Sequence, residues 1–233
     1  MKQLPQSALD ITGFAGLLER IYIMDERQFG AHRIPEAWQG HGQLVYLADA
    51  VFKPNKSTGR HSHNDIDVVT LVTQGELHHL GSLGDHSAVR EGQIMVQRSG
   101  AKGFQHDEQN RTDQRTHVLQ LWLLPEDTAN REKQGEYQVI TPTQPDEIIY
   151  QSASTTLRLV TLKPAQTLSA QPDDLLFVIK GQLQSANSTA EAKTLIRLTL
   201  KPEPTKTPLK STPLLQAGPE TTSLLLCSVS SPS

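Results

Sequence analysis

Short apolar runs rich in Val, Leu, Ile and Thr recur along this chain, and turn residues close each of them. QLVYLADAVF (43–52), DVVTLVTQGELHHL (67–80), QIMVQRS (93–99) and THVLQLWLL (116–124) fill the first half. TLRLVTLK (156–163), DLLFVIKGQLQ (174–184), TLIRLTL (194–200) and SLLLCSV (223–229) fill the second. Gly, Pro, Asn and Asp punctuate the gaps. That rhythm predicts an all-β sandwich or barrel with few long helices. One helical turn is expected at GFAGLLERIY (13–22). The polar stretch PEDTANREKQGEYQ (125–138) reads as a linker, and KPEPTKTPLKSTP (201–213) as an exposed loop between late strands.

The runs also repeat. FKPNKSTGRHSHNDIDVVTLVTQGEL (52–77) is echoed by LKPAQTLSAQPDDLLFVIKGQL (162–183), from an apolar-Lys-Pro triplet to a strand ending Gly-polar-Leu. Aligning Gly75 with Gly181 sets His61 and His63 against Thr167 and Ser169. At 233 residues the chain has room for two such units at roughly 100–150 residues each. The expected division is 1–130 and 131–233, with the second copy stripped of its histidines.

That stripping is visible in the composition. All nine histidines lie between His32 and His117. Two of them, in GRHSHNDID (59–67), sit one residue apart, so on a strand His61 and His63 share a face. Such a pair is either a solvated edge or half of a metal site. GFQHDEQN (103–110) offers a second pair of the same spacing, His106 and Glu108. On adjacent strands the two pairs would gather three imidazoles and a carboxylate. Such N/O donors without thiolate suit Fe(II), Mn(II), Co(II), Ni(II), Cu(II) or Zn(II).

Other classes are disfavoured. A net charge of −3 leaves no basic footprint for nucleic acid or an anionic membrane. The single Cys227 excludes a disulfide framework and a cysteine-rich zinc site. The first twenty residues hold no sustained apolar run, so neither a signal peptide nor a membrane span is read there, and a soluble cytoplasmic protein is expected.

G-x-H-x-H at 59–63, LVTQGELHHLGSLGD (71–85), EGQIMVQRSGAKGFQHDE (91–108) and THVLQLWLLPE (116–126) together resemble the pirin family of the cupin superfamily. The resemblance implies two tandem cupin jelly-roll barrels, the second degenerate. It implies His61, His63, His106 and Glu108 as metal ligands, with iron the usual ion. It further implies a quercetin 2,3-dioxygenase-like oxidoreductase, in which Glu108 also takes a catalytic proton from a flavonol-like substrate. The alternative is a non-catalytic, redox-sensitive iron protein that binds protein partners. A sugar-phosphate isomerase would want more Lys or Arg near the site. Two departures stand out: Asp67 where the family commonly has Glu, and a turn, RSGAKGFQ, one residue longer than usual.

Among the remaining candidates, His79 is read as a hairpin surface histidine and His117 as either packing or pocket. Trp122 is read as core and Glu76 as solvated. Phe104, Met95 and Gln120 are candidates for the pocket wall, and Cys227 for a buried, inert thiol. His32, His41 and His86 receive no role.

Overall fold

The computed structural model describes residues 1–125, 134–198 and 214–230, with the backbone alone for 85–87. The loop expected at 201–213 and most of the linker expected at 125–138 lie outside these residues. The chain separates into two compact units.

The first unit, residues 9–143 with 152–154, is built from two antiparallel sheets. One has six strands in the order Glu136–Ile140, Ile94–Arg98, Asp67–Gln74, Thr116–Leu123, Leu44–Phe52, Leu17–Met24. The other runs Lys56–Ser57, Phe104–Asn110, Glu76–Gly81, Asp85–Arg90, with His61–His63 also paired to Phe104–Asn110. Alternation along each strand decides what lies between the sheets. Leu17, Phe52, Val72, Leu77, Met95 and Val118 form one buried apolar layer contributed by both sheets. Two residues further along the same faces come Glu19, Thr70, His79, Gln97 and Gln120. The apolar layer thus gives way to a polar layer within a single pleat repeat.

The second unit comprises residues 1–8, 144–151 and the described residues after 154. Its six-stranded sheet orders Lys2–Pro5, Thr194–Arg197, Leu175–Lys180, Thr222–Val229, Thr155–Leu162, Asp146–Gln151. Its four-stranded sheet orders Thr167–Ser169, Leu214–Ala217, Gln182–Ser185, Ser188–Glu191. The interior is aliphatic, with Val160, Leu168, Leu176, Val178, Leu183 and Leu226 in one buried cluster. Every described member of that cluster is apolar.

The repeat seen in the sequence has a structural counterpart. Gly75 (φ +84°) and Gly181 (φ +79°) each end a long strand in the left-handed region that favours glycine. A Cβ on Gly75 would meet Thr116 Oγ1 at 3.1 Å and one on Gly181 would meet Thr222 Oγ1 at 2.6 Å. Those two threonines donate to the carbonyls of Glu76 and Gln182, both at 2.8 Å. The alignment of His61 and His63 with Thr167 and Ser169 needs one amendment. Both triplets are three-residue strands, but Leu168 is the buried residue of the second, while Thr167 and Ser169 are exposed. A one-residue difference in parity reverses every side chain, so a leucine fills the inward position.

Two local expectations change. GFAGLLERIY is not helical: Leu17–Met24 is a strand registered on Leu44–Phe52, because its apolar and aromatic side chains are buried in the sheet. The division at 130/131 also differs from the observed partition. Glu136–Ile140 pairs with Ile94–Arg98 in the first unit, and Lys2–Pro5 pairs with Thr194–Arg197 in the second. Both pairings join strands far apart in sequence, which local patterning does not encode. Among the described residues, no helix is long and apolar enough to cross a membrane.

The N-terminal strand therefore stabilises the C-terminal unit. Leu4→Ala, removing a side chain only 7 % exposed, should cost about 2 kcal/mol. Hydrogen exchange should report the lost protection at Leu195–Arg197. Loss confined to Leu17–Met24 would contradict the pairing.

Candidate metal centre

Three histidines converge in the polar layer of the first unit. The strand His61–His63 pairs antiparallel with Phe104–Asn110, setting His106 opposite His61 and Phe104 opposite His63. The period of two that put His61 and His63 on one face does the same for Phe104, His106, Glu108 and Asn110. His106 Nε2 lies 3.0 Å from His61 Nε2 and 3.1 Å from His63 Nε2. One donor atom from each ring falls within 4.8 Å of the others.

The site fits a metal ion on donor chemistry and spacing. Two imidazole nitrogens at right angles about an ion, each about 2.1 Å away, would stand about 3.0 Å apart. Backbone geometry prepares one ligand outright: His61 Nδ1–H donates to the Gly59 carbonyl at 2.8 Å, so its lone pair is on Nε2. Burial, then the charge of His61, lowers His63 to about 4. Burial, then His63, His61 and His79, lowers His106 to about 2. Both rings are neutral at pH 7, the state a metal requires.

Glu108 is buried in the same layer but outside that cluster of donors. Gln120 Nε2 donates to Glu108 Oε2 at 2.8 Å, and Thr70 Oγ1 donates to Oε1 at 3.2 Å. Burial raises its carboxyl to about 7; the Gln120 and Thr70 hydrogen bonds lower it, and Asp107 raises it slightly. Trp122 Nε1 in turn donates to Gln120 Oε1 at 3.3 Å.

Aromatic rings wall the histidines. Phe104 lies 5.2 Å from His63 and 5.3 Å from His106, centroid to centroid. Trp122 meets His63 edge-on at 5.0 Å and packs against Tyr46 and Phe29. Trp122 is thus a neighbour of the site as well as a packing residue. Phe104 and Gln120 take the wall positions expected of them, whereas Met95 belongs to the apolar layer beneath. A cleft of about 650 Å³ opens on the outward side of these strands, lined by Ser62, Asn64, Ser82, Lys102 and Gln105. Phe104 lines it too, and is the side chain it shares with the histidine wall.

Other candidates move. His79 is fully buried rather than a surface histidine, with its ring 5.6 Å from His106 and stacked on Tyr137 at 4.9 Å. Glu76 pairs with His78 and Arg90 instead of standing alone in solvent. His117 lies on the face of its strand opposite Val118 and Gln120. Cys227 is buried, its thiol pushed up to about 12 by desolvation and then by Asp174. Asp67 lies on the outward face, where its carboxylate accepts from Ser99 N at 2.8 Å and Ser99 Oγ at 3.3 Å. It anchors the turn leading toward Phe104 and takes no place in the polar layer. Reading by single motifs missed Gln97, whose amide nitrogen is 3.1 Å from His106 Nδ1. It also missed Thr70 and Tyr137. The one signal available was parity, since Gln97 shares the face of Met95.

The depressed histidines fix the sign of an acid effect. Unfolded histidine takes up a proton near pH 6.5, whereas His63 resists until about 4. Their contribution to stability is intact above 6.5 and is lost as pH falls through that window. A metal-free His63→Gln/His106→Gln variant should therefore lose less stability than wild type between pH 7 and pH 5. Urea midpoints at the two pH values would show it, and equal declines would refute it.

Comparison with known proteins places these features. A family model described as Pirin matches residues 26–123. A Zymomonas mobilis protein named provisionally as a quercetin 2,3-dioxygenase is 32 % identical over 131 residues, covering 56 % of this chain and 53 % of that one. The Escherichia coli K12 quercetin 2,3-dioxygenase is 29 % identical over 93 residues, or 40 % of each chain. The matched stretch thus spans about half the length of these relatives, or less. Among solved structures, the E. coli pirin YhhW in complex with nickel(II) superposes with a TM-score of 0.77 at 18 % identity, over 97 % of both chains. A quercetin 2,3-dioxygenase from Acinetobacter baumannii gives 0.68 at 17 % identity, over 100 % of this chain and 86 % of that one. These likenesses identify the two β units as the tandem cupin fold. The stretch that matches the Pirin model, residues 26–123, is the one that carries the three histidines.

Proposed function

We propose that this chain is an Fe(II)-dependent dioxygenase of the quercetinase type, with His61, His63, His106 and Glu108 as the ligand set. The observation that carries the reading is the convergence of three imidazoles, with His106 Nε2 3.0 Å from His61 Nε2 and 3.1 Å from His63 Nε2. The names of the relatives supply the substrate class, a flavonol-like molecule, and the nickel complex of YhhW supports a divalent ion. Other borderline ions, Zn(II), Ni(II), Mn(II), Cu(II) or Co(II), share the same donor preference. The chemistry such an ion supplies is Lewis acidity and a template for a hydroxyl–carbonyl pair beside O2.

The protein's own groups do the rest. Glu108 alternates between its ligand role and taking the hydroxyl proton of a flavonol, a base role favoured by the burial that raises its carboxyl. Gln120 and Thr70 hold its two oxygens and would fix the direction of that transfer. Phe104 and Trp122 border the histidines with apolar surface that suits a flat aromatic ligand and keeps water from the reacting groups. The cytoplasm is the compartment proposed for this chemistry.

Incubating the iron-loaded protein with quercetin should bleach the flavonol's near-visible absorption and consume O2. Glu108→Gln should lower turnover about 10²- to 10⁴-fold, and Gln120→Ala should lower it less. No turnover with iron, nickel, copper, cobalt, zinc or manganese would defeat the enzymatic reading. It would favour the iron-binding regulatory alternative, testable by partner capture with Fe(II) against Fe(III).

A further inference from the structure

The three histidines are not supported alike. His61 is held by a backbone carbonyl, which can only accept, so its Nδ1 carries the proton and its Nε2 is free to bind. His106 is held by Gln97, whose carboxamide can donate from one end or accept at the other. Gln97 and His106 are both fully buried. As they stand, Gln97 Nε2 faces His106 Nδ1 at 3.1 Å, while Gln97 Oε1 is buried with no hydrogen-bond partner among the described residues.

This arrangement forms a closed chain of donors. An amide N–H pointing at Nδ1 makes that nitrogen an acceptor and places the ring proton on Nε2. From there His106 donates to His61 Nε2 at 3.0 Å, with His63 Nε2 close by at 3.1 Å. His61 donates its own Nδ1–H to the Gly59 carbonyl. The network is self-consistent, and in it His106 cannot be a ligand, because Nε2 is protonated.

Ligation needs the opposite tautomer. With the proton on Nδ1, His106 must find an acceptor on the Gln97 side, and the unpartnered Oε1 is the acceptor at hand. We propose that Gln97 is a two-position switch for His106. When the amide nitrogen faces the ring, the histidines are locked together; when the amide oxygen faces it, the third ligand is released to bind a metal. The change moves one proton from Nε2 to Nδ1 and turns one amide by about half a revolution, with no net gain or loss of protons at the pair. Gln97 is a positioning residue, acting only through His106. The inference rests on the metal-binding reading above.

Zn(II) is the probe, since it is diamagnetic and has no redox chemistry of its own. In the zinc-loaded wild type, long-range proton–nitrogen spectra should show a slowly exchanging Nδ1–H on His106 close to the Gln97 side chain. Gln97→Met keeps the length of the side chain and removes both its donor and its acceptor. It should weaken Zn(II) about 10- to 100-fold, measured against a competing chelator, and speed exchange of that proton. Gln97→Glu, which can only accept when ionised, should match or exceed wild-type affinity. Melting of the metal-free variants checks that they fold.

Wild type that binds Zn(II) without a protected Nδ1–H on His106 would overturn the switch and leave the metal centre standing. So would Gln97→Met binding within twofold of wild type. Wild type that binds no Zn(II) would overturn both.

Discussion

Everything distinctive in the first unit follows from holding His106 Nε2 about 3 Å from the Nε2 atoms of both His61 and His63 between two β-sheets. Desolvation disfavours charge on His63 and His106, and neutral imidazoles brought so close leave lone pairs to be shared with a proton or a cation. The neighbours answer that constraint one ring at a time. A carbonyl orients His61, an amide faces His106, and the rings of Phe104 and Trp122 close around His63. Glu108 sits in the same layer with its carboxyl raised by burial, and Gln120 and Thr70 occupy its two oxygens.

A polar layer is costly in a core, and the apolar layer beside it offsets that cost. Leu17, Phe52, Val72, Leu77, Met95 and Val118 lie one pleat repeat away, so the same strands that weaken the fold at one level stabilise it at the next. The second unit shows what the scaffold does without that demand. Its turns keep the glycine–threonine contact, but Leu168 and Leu215 are buried where strands corresponding to those of the first unit's histidines run. The two units share the backbone device, and the second surrounds it with an aliphatic interior. Among the described residues, the cluster of potential metal donors stands in the first unit, whose polar layer holds it.

How much of this could be read in the sequence depended on how local the cause was. His61, His63 and His106 were legible because pleat alternation acts within three residues, and both pairs show it. Gly75 and Gly181 were legible because one left-handed residue decides a turn. The placement of Lys2–Pro5 beside Thr194–Arg197 was not, since nothing in four residues names a partner nearly the whole chain away. GFAGLLERIY (13–22) reads as a helical turn in isolation, whereas Leu17–Met24 is a strand because its sheet neighbours bury it. His79 and Tyr137 failed together. A histidine in a hairpin looks exposed until a strand read as linker lays a ring over it.

Gln97 marks a different limit. Its parity with Met95 sends it inward, but no pattern says which end of an amide meets a histidine. That choice is set by the pair's shared proton, and the proton's position depends on whether a cation competes for it. A carboxylate at position 97 would hold His106 permanently ready and add charge to a buried site. An apolar residue would leave Nδ1 with nothing to hold its proton. An amide can serve the locked and the ligating forms with the same atoms. The identity of that one side chain therefore decides whether three converging histidines are a fixed metal cage or one whose third ligand must be released before it can bind.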